Sequence, residues 1–268
     1  MRSKFVLLFN CLTIFLISAA TAGLNGCTPF GNDASNDIHP GTEPAYDTSL
    51  AAGKIADEIL TAKHFPALVV EIQAVAGLSP TPESLDELRA FLVKYAKKPR
   101  GVQIVVDAPI PPPTHIRGVD GYSIIDLKQI EARYRRHYTT KGTLALYALV
   151  LDKNLAGDVA TDRVLGRAYG AQSVAIFMNS LRTISPAPAH PTFAETATLL
   201  HEFGHLLGLV AADDDPKAHA DLVHHSCSNP KCLMNHAAES GAQIGAFTSE
   251  QVPALDDDCE KDLKALSN

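Results

Sequence analysis

Residues His201-Glu202-Phe203-Gly204-His205-Leu206-Leu207-Gly208 set two histidines four apart within an apolar helical run. Positions i and i+4 share one face of a helix, so both imidazoles can address a single metal ion. Glu202 is rotated by one residue, where it reaches a metal-bound water without taking a coordination position. A catalytic zinc site needs three protein ligands and a water, so two-thirds of such a site lies on this helix. The rest of the chain must therefore fold so as to return a third ligand to that face.

Length and composition allow this. The chain has 268 residues, 46% hydrophobic and 20% charged, which suits one sizeable globular domain or two small ones. Net charge is −7 and no basic patch carries interleaved aromatics, which excludes nucleic-acid binding. Arg2 and Lys4 precede a nearly continuous apolar run from Phe5 to Ala20, and Leu24-Asn25-Gly26-Cys27 follows. That run is short for a bilayer span and reads as an export signal. Leu24 to Cys27 resembles the lipobox of bacterial lipoproteins. The resemblance implies a signal peptide over 1–26, acylation (palmitate included) of Cys27, and a chain lipid-anchored in the bacterial cell envelope, on its periplasmic or extracellular face. Cleavage after Ala20-Thr21-Ala22 is the alternative; both export the chain. Residues 27–48 are rich in Gly, Asn, Asp, Pro and Ser and read as a flexible tether.

The domain is expected over 49–268, with an N-terminal subdomain to about 208 and a C-terminal one over 209–268. A helix is expected over Leu50 to Leu60, and a β-branched strand over Leu68 to Val75. Thr81-Pro82-Glu83 opens a helix to about Lys97, and Val102 to Val106 forms a second strand, giving a parallel βαβ unit. Asp107 to Pro113 is a proline-rich loop. A helix over Ile124 to Tyr138 follows, with Arg133, Arg135 and Arg136 on a solvated face. Strands over Thr143 to Leu151 and Ser173 to Met178 come next, the second preceded by a Gly-rich turn at Gly166 to Gly170. Thr192 and Glu195 form a capping pair for the motif helix, and a final helix runs from Thr248 to Leu266.

The run from His201 to Gly208 resembles the metzincin zinc peptidases, whose motif continues to a third histidine; here Ala211 stands at that position. Further on, His225-Ser226-Cys227, Cys232 and Met234 resemble the archaemetzincin subfamily, in which the third histidine leads into a Cx4CxM run. The resemblance implies an α/β (α+β) domain with a mixed twisted sheet, a backing helix, an active-site helix and a small C-terminal subdomain. It implies one catalytic zinc, Glu202 as general base, and Met234 packing beneath the metal. It also implies that the strand at Ser173 to Met178 is the upper edge strand, along which an extended substrate pairs.

An insertion between Gly208 and His225 reconciles the motif with the departure at Ala211. His225 is the favoured third ligand, His219 (with Asp221 as a partner) and His224 are alternates, and Asp213 is weaker. Archaemetzincins carry a second, structural zinc on four cysteines. Here Cys259-Glu260-Lys261-Asp262 lacks one thiol, which leaves a disulfide, Cys227 to Cys232 or either to Cys259, or a mixed-ligand site. The expected activity is that of a zinc metalloendopeptidase acting on a peptide or protein as a monomer. A non-catalytic envelope binding lipoprotein and a zinc hydrolase of a non-peptide amide are the competing readings.

Overall fold

The computed structural model describes residues 49–114, 117, 120–158, 163–184, 191–210, 219–221, 225–238 and 251–268. The signal over 1–26, Cys27 and the tether to residue 48 lie outside them.

Five strands form one sheet in the order β2-β1-β3-β5-β4. They are β1 (Ala67–Ala74), β2 (Val102–Val106), β3 (Thr143–Leu151), β4 (Gly166–Gly170) and β5 (Ser173–Phe177). The pairs β1–β2, β1–β3 and β3–β5 are parallel, and β4 is antiparallel to β5. The expected mixed sheet and the βαβ unit are thus present. Strand β3 is apolar on both faces because helices cover both. Leu146, Ala148 and Val150 pack with α2 (Pro82–Tyr95) and the motif helix α5 (Pro191–Leu206). Tyr147, Leu149 and Leu151 pack with α3 (Ile124–Tyr134).

Several local expectations are corrected. Strand β5 is interior, and the upper edge is β4, the segment read as a Gly-rich turn. A two-residue reversal at Ala171 and Gln172 suffices to fold β4 back on β5. The first helix, α1, is confined to Ala56–Leu60, and α4 (Met178–Ile184) follows β5 directly. Helix α3 stops at Tyr134, and Arg135 is not on a solvated face. Its buried guanidinium bonds Glu131 Oε1 at 2.7 Å and the carbonyls of His137 and Ala145. The final helix, α6, begins at Asp257 and runs to Leu266.

The capping pair in α5 is also replaced. Glu195 Oε1 accepts from Thr81 N at 2.7 Å and Thr81 Oγ1 at 3.2 Å, so it serves the start of α2 instead. Ser84 and Thr196 hydroxyls, 2.8 Å apart and buried, continue the same seam. These bonds fix how the motif helix lies on its neighbour.

Candidate metal centres

On α5, His201 is fully buried and His205 is partly exposed, with their Nε2 atoms 3.1 Å apart. Each ring is held from behind. His201 Nδ1 lies 2.9 Å from Leu233 O, and His205 Nδ1 lies 3.3 Å from Leu209 O. With Nδ1–H donating to those carbonyls, both Nε2 lone pairs face the same point. Two nitrogens about 2.0–2.1 Å from a tetrahedral ion stand about 3.3 Å apart, so the pair fits a metal.

The motif's glycines answer to close approaches. Gly208 (φ +85°) ends the helix and turns the chain so that Leu209 O returns to His205. A methyl group on it would meet Ala56 Cβ at 2.8 Å. A methyl group on Gly204 would overlap Met234 Sδ, so Met234, fully buried, packs directly beneath the helix beside His205. Glu202 is buried against the edge strand, where a Cβ on Gly166 would lie 2.6 Å from both its Cγ and its Oε1.

The third ligand position is less complete. His225 is exposed with φ +52°, and Ser226, buried, is the residue that immediately precedes Cys227. Ser226 pairs with Asp221 in a small antiparallel ladder of β6 (Ala220–Asp221) and β7 (Ser226–Cys227). His219 Nε2 bonds Asp262 Oδ2 on α6 at 3.0 Å, rather than Asp221. Among the described residues, neither His219 nor His225 forms a converging group with His201 and His205. Ala211, Asp213 and His224 lie outside the described residues.

A second centre does converge. Ligand atoms of Cys227, Cys232, Asp256 and Cys259 all lie within 4.8 Å of one another. The Cys227–Cys232 disulfide expected from sequence is not formed, and all three thiols are free and buried. Cys232 Sγ lies 3.6 Å from Cys259 Sγ, and Cys227 Sγ lies 3.3 Å from Asp256 Oδ2. A tetrahedral zinc with sulfurs about 2.3 Å away separates them by about 3.8 Å, so this donor set fits that ion. The sequence signal for the fourth donor is Asp256, three residues before Cys259 rather than after it.

The electrostatics agree with a ligand role. Hydrogen bonds from the Cys227 and Cys259 thiols pull the Cys232 thiol well below its ordinary range, while Cys227, bonded to it, is pushed up. Burial raises Asp256, but bonds from Cys259 N, Asn229 and the Cys227 and Cys259 thiols outweigh it and bring it to about 2. Three thiols and a carboxylate thus face one another, a donor arrangement that suits a divalent cation.

No family model matches the chain, and no curated protein matches it. Solved structures do. An archaemetzincin from Methanopyrus kandleri is 15% identical with a TM-score of 0.51, covering 75% of this chain and 96% of that one. A zinc-dependent peptidase from Methanocorpusculum labreanum is 14% identical with a TM-score of 0.45, covering 72% and 99%. At this identity the first likeness establishes the fold: the mixed sheet with its backing and motif helices is that of the Methanopyrus kandleri protein.

Proposed function

We propose that the chain is a zinc-dependent peptidase, with His201, His205 and a third histidine as ligands and Glu202 as general base. The observation that carries this is the pair of Nε2 atoms 3.1 Å apart, each ring anchored through Nδ1, with Glu202 beside them. Bound zinc would polarise the scissile carbonyl and acidify the attacking water. Glu202 takes that water's proton and delivers it to the leaving amine. Gly166, with no side chain, leaves room for the buried Glu202 carboxylate against the edge strand.

Strand β4 offers its outer edge to an extended peptide, whose backbone would add to the sheet above the motif helix. His225 is the proposed third ligand. His219, engaged by Asp262, and His224 are the alternates. The four donors around Cys232 form the proposed second, structural zinc site. Export and acylation at Cys27 complete the reading, with a peptide or protein as substrate.

Zinc content and peptide cleavage, measured together on the wild type, Glu202→Ala and single His219, His224 and His225→Ala variants, test the proposal. Glu202→Ala should keep both zinc ions and lose cleavage. Only one histidine variant should lose the catalytic ion. A wild type whose His201–His205 site takes up no zinc sinks the proposal, and zinc without cleavage of any peptide favours the binding lipoprotein. Labelled palmitate incorporation in wild type but not Cys27→Ala checks the anchor.

A further inference from the structure

We propose that the thiol cluster positions the histidine site, so that filling the cluster raises the metal affinity of His201 and His205. This rests on the peptidase reading of that site. The link is one residue, Leu233. Its carbonyl accepts the bond from His201 Nδ1, and its N–H donates to Ala254 O at 2.8 Å, two residues before Asp256. Leu233 is flanked by Cys232, a cluster ligand, and Met234, which packs beneath Gly204.

Several bonds that shape this turn lead to the cluster. Cys232 Sγ accepts from Met234 N and from Asp256 N, each at 3.4 Å. Cys227 N donates to Met234 O at 2.6 Å, and Asn235 Nδ2 donates to Cys227 O at 2.7 Å. Leu233 and Met234 are buried, so neither can reach water for a substitute partner. A cation drawing the four donors together tightens the turn that carries the Leu233 carbonyl. Without it, three protonatable sulfurs and a carboxylate crowd one pocket and the turn is held less firmly. The His201 ring then keeps its bond to Leu233 in a smaller fraction of molecules. Losing such a partner to a ligating histidine typically costs 10–100-fold in metal affinity. By linkage, metal at the histidines must strengthen the cluster's hold by the same factor.

Cadmium, which thiolates select, allows the test on the intact chain. Chelator-stripped protein is titrated with cobalt(II), with and without one prior equivalent of cadmium, and the visible cobalt bands abolished by His201→Ala are followed. Cadmium should lower the histidine-site midpoint about tenfold or more. Asp256→Asn should raise that midpoint when the cluster's metal is zinc, and Asp256→Cys, which restores a fourth donor, should not. Equal midpoints with and without cadmium overturn the coupling while leaving the peptidase reading intact. A wild type that shows cluster bands but no histidine-site bands overturns both.

Discussion

Glu202 lies against the backbone of Gly166, with no room for a methyl group between its carboxylate and the edge strand. The proposed general base and the strand proposed to hold substrate are thus in van der Waals contact, which fixes their relative position. Gly166→Ala would bring a Cβ within 2.6 Å of Glu202 Cγ and Oε1 and 2.8 Å of Thr198 Cγ2. Displacing a general base by this much should cost about 100-fold or more in kcat. Zinc content should stay close to the wild type while overpacking lowers stability by about 1–3 kcal/mol, which steady-state kinetics, metal analysis and urea unfolding will check.

Gly204→Ala acts on the opposite side of the motif helix. Its new methyl group overlaps Met234 Sδ, and both are buried. Overpacking of this kind costs about 1–3 kcal/mol. Because Met234 adjoins Leu233, the substitution should also weaken zinc retention, seen as faster loss to a chelator. Thermal unfolding of the two proteins reads the first effect independently of the second.

Lys98 is buried, and its Nζ donates to Glu58 O at 2.6 Å, Phe65 O at 2.8 Å and Thr61 O. It therefore gathers the carbonyls that end α1 and enter β1. Lys98→Met leaves them without a donor at about 1–3 kcal/mol each. The expected result is a loss of about 3 kcal/mol or more, measured by urea unfolding.

Glu71, fully buried on β1, is held above its ordinary value of 4.5 chiefly by burial, with bonds from His137 N and Arg136 N pulling the other way. The folded state therefore binds this proton more tightly than the unfolded one. The stability it contributes is fully present below 4.5 and is lost as pH rises through the raised folded value. Glu71→Gln should remove that decline, so the midpoints of wild type and variant differ least in acid and their difference changes as pH rises. Denaturant midpoints from about pH 4 to about pH 8 report it.

The sequence carried the fold wherever a local rule decided it. Thr81-Pro82 marked the start of α2, and the β-branched runs marked β1 and β2. It failed where tertiary partners decided. Glu195 has the spacing of a capping residue for its own helix, yet Thr81, 114 positions away, takes its carboxylate. Arg135 looks like a surface charge until Glu131 and two carbonyls surround it. Strand β4 is only five residues with two glycines, too short to declare itself, and pairing with β5 makes it a strand. In the site, spacing brought out His201, Glu202 and His205, because one helix presents all three. Asp256 escaped because a carboxylate among thiols is a donor only after folding brings α6 to Cys232.

The first described residues are tied to the site as well as to the core. Ala171 N donates to Leu50 O at 2.8 Å just past the end of β4, and Ala56 packs against the position of Gly208 at the end of the motif run. Tension applied from the N-terminal side would load Leu50 first and pass to the edge strand and the end of the motif helix before it reached β1. A chain hauled by that end would strain β4 and the end of the motif helix while β1 still held its pairing with β2 and β3.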